Sequence, residues 1–236
     1  MAMPIQKKRE GRVGLFGGTF NPIHNGHLAA ADEVAELFQL DRVIFIPNGR
    51  PPHKIARGLF DARHRYQMVL ISTNSNPRFQ VSRVELDRKG VSYSIDTVEQ
   101  IRKEHGSNLF FMTGFGAFKD IGTWKSVSRL FTMCNFIVTI GPGQKPELLM
   151  DVLEKTVTRR YKTLRFQWEA TRKRGPYRKI RIVGSKYGVY PVRINWLDIS
   201  STLIRTKLKK GKSVRYLVDP GVENYLEKEQ LFKRSK

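Results

Sequence analysis

A doubly wound α/β fold is predicted by three features of this 236-residue chain. Short apolar runs alternate with helical periodicity almost from the start. The first run ends in a glycine-rich turn. No internal repeat or low-complexity tract interrupts the alternation. Such a pattern gives a parallel sheet with helices on both faces and right-handed crossovers, and it places ligands at the carboxyl ends of the strands.

The elements follow in order. "RVGLFGG" at 12–18 is a buried strand, Leu28 to Leu40 a helix with Leu28, Ala31, Val34, Ala35 and Phe38 on one face, and "RVIFIP" at 42–47 the next strand. A helix from about Phe60 to Thr73, a strand at "RFQVS", a helix from about Ile95 to His105 and strands at "NLFFMTG" and "NFIVTI" continue the series. Beyond "GPGQKP" the pattern loosens. "ATRKRGPYRK" is predicted as a loop because Gly175 and Pro176 interrupt it, and "VRINWL" as a strand. "DISSTLIRTKLKKGKS" is a helix capped by Ser200, Ser201 or Thr202 and ended by Gly211. A last short helix after Pro220 turns Val222, Tyr225 and Leu226 inward.

The composition, 40% hydrophobic and 27% charged, suits one principal folded domain, predicted over 11–197 with a basic, loop-rich segment at 155–190, and a small C-terminal helical lobe at 198–236. The first ten residues lack the apolar core of a signal peptide. The longest apolar-rich uncharged stretch, Leu130 to Gly143, falls short of the roughly 20 residues a membrane span needs. A cytoplasmic protein without membrane contact is the expectation. The lone cysteine, Cys134, can form no internal disulfide and reads as a buried thiol beside a strand.

Charge is the unusual quantity. From Lys155 to Arg215 there are 19 Lys or Arg against two acids, Glu169 and Asp198, which supplies 17 of the chain's net +22. A surface of this kind attracts polyanions by counterion release, so contact with RNA or another polyanion through 155–215 is one expectation, and a solvated face that aids solubility is the other.

The chemistry is concentrated in "GLFGGTFNPIHNGH", Gly14 to His27. Gly17 and Gly18 allow a tight turn and close approach of backbone to a phosphate, and the following helix aims its unpaired N–H groups and positive dipole end at the same place. His24 and His27 flank Asn25 and Gly26 at the helix start, where imidazole N–H groups can hold polyphosphate oxygens.

This run resembles the HxGH signature of the nucleotidylyltransferase superfamily, enzymes that join a nucleotide to a phosphate-bearing acceptor and release pyrophosphate. Within it, the chain resembles the nicotinate mononucleotide adenylyltransferases. "PPHK" at 51–54, "HRYQM" at 64–68, "SYSIDT" at 92–97, "TW" at 123–124 and "ISSTLIR" at 199–205 are similar to that family's landmarks, in its order, across nearly the whole chain. The resemblance implies a Rossmann-like fold with ATP along Gly17, Gly18, Thr19, Phe20, His24, His27, Ser200, Ser201 and Thr202, and with Arg205 on the phosphates. It implies the acceptor mononucleotide at Lys54, Thr97 and Trp124, with Trp124 offering an aromatic face and Thr97 donors for the ring carboxylate.

His24, His27 and Arg205 are thereby the expected catalytic residues. The attacking phosphate is already ionised, so no general base is needed and the demand on the protein is electrostatic. No run of carboxylates suggests a metal held by the protein, so Mg²⁺ is expected to arrive with ATP. In the family's Gly-x-Asp, the aspartate is associated with ribose hydroxyls; this chain has Gly114, Phe115 and Gly116 there. That departure, with the basic patch, keeps open a basic, RNA-associated protein that kept the fold and lost the activity; adenylyl or cytidylyl transfer to another phosphate acceptor is a second alternative, since sequence alone does not bring Thr97 and Trp124 together.

Overall fold

The computed structural model describes residues 11–50, 58–170 and 177–231. Strand β1 (Val13–Gly18) leads to helix α1 (Asn25–Leu37), β2 (Arg42–Pro47), α2 (Ala62–Thr73), β3 (Phe79–Val81), α3 (Ser94–His105) and β4 (Leu109–Gly114). Short helices α4 (Phe115–Phe118) and α5 (Val127–Leu130) flank a 3₁₀ turn at Ile121–Thr123, and β5 (Asn135–Ile140) follows. Then come α6 (Leu148–Val152), running into a π-helical stretch at Leu153–Thr158, the strands β6 (Phe166–Trp168), β7 (Ile180–Ile182) and β8 (Gly188–Arg193), and the helices α7 (Ser201–Lys209) and α8 (Pro220–Lys228).

The strands form one sheet in the order β3-β2-β1-β4-β5-β8-β7-β6. Every pairing from β3 to β8 is parallel, as predicted, and only β7 and β6 add antiparallel at one edge. Strand alternation divides the core into two layers. Val13, Leu15, Ile44, Ile46, Leu109, Phe111, Phe136 and Val138 pack beneath α3 to α6, while Val43, Phe45, Phe110, Met112 and Ile137 pack beneath α1, α2, α7 and α8.

Three parts of the chain differ from expectation. The strand expected at "VRINWL" lies earlier, at Gly188–Arg193, and shares only Val192 and Arg193 with it. The observed strand contains Gly188 and Pro191, both unfavourable inside a strand. Proline is tolerated because the β7 pairing stops at Val189, so at Pro191 only β5 lies alongside. The segment expected to be loop-rich holds β6, β7 and the π-helical stretch, whose Val157, Leu164, Phe166, Ile180 and Ile182 are buried. Residues 171–176 of the expected loop lie outside the described residues. Helix α1 starts three residues before the predicted Leu28, since His24 rather than a later residue is its N-cap, and it stops where Gln39 enters the left-handed region at φ 49°. Among the described residues no helix is long and apolar enough to cross a membrane.

Candidate active site

The glycine turn closes β1 at the centre of the sheet. A Cβ on Gly18 would lie 2.9 Å from the Phe20 ring, so a side chain there would displace it. Phe20 itself adopts φ 47° and is 2% exposed. Its ring stands edge-on to His27 at 5.1 Å and to Phe16 at 5.6 Å, so it backs the histidine rather than offering a face to a ligand.

His24 caps α1 in an extended conformation and its ring stacks on His27, centroids 3.7 Å apart at 29°. The His24 backbone N–H donates to His27 Nδ1 at 3.3 Å. That bond requires an unprotonated Nδ1, so the proton of neutral His27 sits on Nε2, which has no partner among the described residues. Burial pushes His24 down to about 4 and His27 well below its usual value, with the neighbouring His24 adding to the latter. In the free protein at neutral pH the pair is therefore uncharged and offers hydrogen bonds from its rings. A Cβ on Gly26 would approach His24 Nδ1 to 3.1 Å, which explains the small residue between the histidines.

Helix α7 docks its N-terminus on this loop. Ser200 Oγ accepts from the Leu203 N–H at 3.1 Å as the N-cap, and Ser201 Oγ donates to the Pro22 carbonyl at 2.8 Å. Arg205 Nη1 donates to the Asn21 carbonyl at 2.8 Å and Nη2 to Thr202 Oγ1 at 3.1 Å. From the far side, the Asn25 N–H donates to the Leu217 carbonyl at 2.9 Å. Two helix N-termini, two stacked imidazoles and one guanidinium thus meet around Asn21 to His27, an arrangement suited to a polyanion.

A cavity of about 670 Å³ is lined by Gly17, Gly18 and Thr19 and walled by Asn48, Glu85, Thr97 and Trp124. Trp124 follows the 3₁₀ turn, packs edge-on against Phe111 at 5.6 Å, and lines the cavity half-buried. Thr97 lines the cavity, but its hydroxyl is committed: it donates to Glu85 Oε1 at 2.9 Å and accepts from Arg88 Nη1 at 3.0 Å. It is thus not a free donor for a ring carboxylate. Lys54 lies outside the described residues.

Two buried ionisable residues at the site escaped sequence reasoning. Glu85 is 5% exposed, and burial raises its carboxyl above the usual range although the Thr97 bond opposes the shift. Arg65 is 1% exposed. Both sit in charged stretches, "RVELDRKG" and "ARHRYQM", that read as solvated. The only signal was the similarity of "HRYQM" to a family landmark. Gly116 on α4 has no atom within 4 Å of where a Cβ would stand.

Comparison with known proteins gives the family. The family model described as cytidylyltransferase-like matches residues 15–207. A probable nicotinate-nucleotide adenylyltransferase of Thermoanaerobacter sp. is 39% identical over 231 residues, covering 96% of this chain and 97% of the relative. The protein of the same name from Moorella thermoacetica is 40% identical over 227 residues, covering 95% and 93%. In fold, the chain is similar to the Plasmodium falciparum nicotinic acid mononucleotide adenylyltransferase complexed with NaAD, at TM-score 0.68 and 17% identity over 94% of this chain and 97% of that one. The chain belongs to the nicotinate-nucleotide adenylyltransferase family, within the cytidylyltransferase-like nucleotidyltransferases.

Proposed function

We propose that this protein transfers AMP from ATP to nicotinate mononucleotide, giving nicotinate adenine dinucleotide and pyrophosphate, a step of NAD biosynthesis. The observation that carries the reading is the Gly17–Thr19 turn, which lines the aromatic-walled cavity and leads into the polyanion cradle of His24, His27 and Arg205. ATP phosphates on the cradle and the acceptor in the cavity bring the nucleophilic phosphate to the α-phosphorus. The His27 Nε2–H, the His24 ring and Arg205 donate to the oxygens on which charge develops as pyrophosphate leaves. Trp124 stacks the pyridine ring. Thr97 acts through the wall it forms with Glu85.

Among the described residues no group of three or more His, Cys, Asp or Glu could hold a metal. Mg²⁺ is proposed to arrive on the phosphates of ATP, held near the cradle of His24, His27 and Arg205, where it would supply charge neutralisation for the leaving group. A coupled pyrophosphate-release assay with ATP and a panel of phosphate acceptors tests the reading. Release is expected with nicotinate mononucleotide, and its absence at saturating substrate would refute transfer.

Gly116 bears on the reading that activity has lapsed. A Cβ at this position would meet no neighbouring side chain, so the first atom of an aspartate fits there. A charge-assisted hydrogen bond contributes about 1.5–3 kcal/mol, so Gly116→Asp should lower KM for ATP by roughly ten- to a hundredfold, or leave it unchanged where another group substitutes. A silent wild type beside an active Gly116→Asp variant would favour a binding protein on an enzyme's scaffold.

The basic stretch is split by the sheet. Val157, Phe166 and Ile180 anchor its first half in the layer under α3 to α6, whereas Ile204 and Val214 anchor its second half in the opposite layer. The first half presents Arg159, Arg160, Lys162, Arg165 and Arg181 as exposed cations near the β6 edge, and we assign polyanion contact to this half. Five phosphate contacts to single-stranded RNA would give a log–log salt slope of about −3.5. The double variant Arg165→Glu/Arg181→Glu should flatten that slope while adenylyl transfer persists. An unchanged slope would remove the assignment.

A further inference from the structure

We infer that Arg65 is a positioning residue for the transfer reaction, a buried guanidinium that fixes the phosphate turn against the acceptor wall by gathering their main-chain carbonyls. The inference rests on the proposed function. Arg65 projects from α2, and four hydrogen bonds leave its head: Nη1 to Thr19 O at 2.8 Å, Nη2 to Asn48 O at 2.6 Å and Gly49 O at 3.2 Å, and Nε to Phe60 O at 3.0 Å. Thr19 is the residue after the two cradle glycines. Asn48 and Gly49 are the residues after β2. Thr19 and Asn48 both line the acceptor cavity.

The β1–β2 ladder ends at Gly18 opposite Pro47, with one further bond from the Asn48 N–H to Gly18 O at 2.9 Å. Past that point the two chain ends separate to form the cradle and the cavity wall, and the Arg65 fork bonds to both. The wall has little slack on its other side. A Cβ on Gly49 would lie 2.1 Å from the Glu85 carbonyl, so the Asn48–Gly49 segment is wedged between Arg65 and the Glu85–Thr97 pair.

The chemistry of the head group matters here. A planar guanidinium presents donors in several fixed directions, and its charge strengthens each bond to a carbonyl. An ammonium is a compact donor and cannot reach carbonyls on divergent segments at once. Burial lowers the pKa of Arg65, opposed by Asp61 and Glu85, but the head stays charged at neutral pH. If the fork is lost, the cradle shifts relative to the acceptor, and a displacement of about 1 Å between reacting groups can cost on the order of 10²-fold in rate.

The test uses Arg65→Lys and Arg65→Ala in the full chain, with pyrophosphate release, separate KM values for ATP and nicotinate mononucleotide, and thermal unfolding. Arg65→Lys should fold, keep both KM values close to wild type, and lose about 10²-fold in kcat. Millimolar guanidinium should restore a large part of the kcat of Arg65→Ala without raising its melting temperature. Arg65→Lys turnover close to wild type in folded protein overturns the inference. So does a loss in kcat that disappears on cooling and merely tracks stability. A wild-type chain that releases no pyrophosphate overturns the function reading and this inference together, an outcome distinct from the other two.

Discussion

His24→Ala and His27→Ala should each lower kcat by roughly 10²- to 10³-fold while KM for ATP changes little, the usual cost of removing one donor aimed at developing charge. The two rings stack at 3.7 Å and the His24 N–H fixes the tautomer of His27, so the pair acts as a unit. The double variant should therefore lose much less than the product of the single losses. Steady-state kinetics on the two singles and the double decide this. Near-wild-type kcat in either single variant would remove the central assignment, and multiplicative losses would separate the histidines into independent donors.

Acid should destabilise the fold through the same pair. Both histidines have pKa values depressed by burial, His24 to about 4 and His27 well below the ordinary value. As pH falls from 6.5 towards 4, the unfolded chain takes up protons on these rings and the folded chain does not, so the unfolding free energy falls with pH. Each such histidine contributes about 1.4 kcal/mol per pH unit across the window in which only the unfolded state is protonated. Glu85 works in the opposite sense. Its raised pKa makes the folded state the stronger proton binder, so the penalty for burying its charge is relieved on acidification. Melting temperatures between pH 7 and pH 4 should fall steeply for the wild type and more gently for His24→Asn/His27→Asn. Equal slopes for the two proteins would show that the histidines are not buried neutral.

The sequence carried the central sheet well, for a physical reason. β2 and β5 lie where their apolar runs put them, because a strand buried on both faces needs an unbroken hydrophobic stretch. The β6–β7 edge was hidden, since "FQW" and "IRI" alternate over only three residues each inside a run of lysines and arginines. In the site, glycines and histidines were legible because their backbone and ring chemistry is local. Arg65, Glu85 and the commitment of the Thr97 hydroxyl were not. A charged side chain in a polar stretch reads as solvated until the fold supplies the carbonyl or hydroxyl, 46 residues away for Arg65 and Thr19, 12 for Glu85 and Thr97, that holds it inside.

The bonds from α7 to the histidine loop join residues far apart along the chain, 179 positions between Ser201 and Pro22 and 184 between Arg205 and Asn21. Closing so long a loop costs entropy that the contacts themselves must repay, and non-local contacts of this kind slow folding. During synthesis, the glycine turn and both histidines emerge while the arginine that completes their anion site has yet to be translated. A nascent chain can therefore build most of the sheet and still lack a finished cradle. Activity arrives only when α7 has cleared the ribosome and docked, so the phosphate site is among the last parts of the molecule to exist.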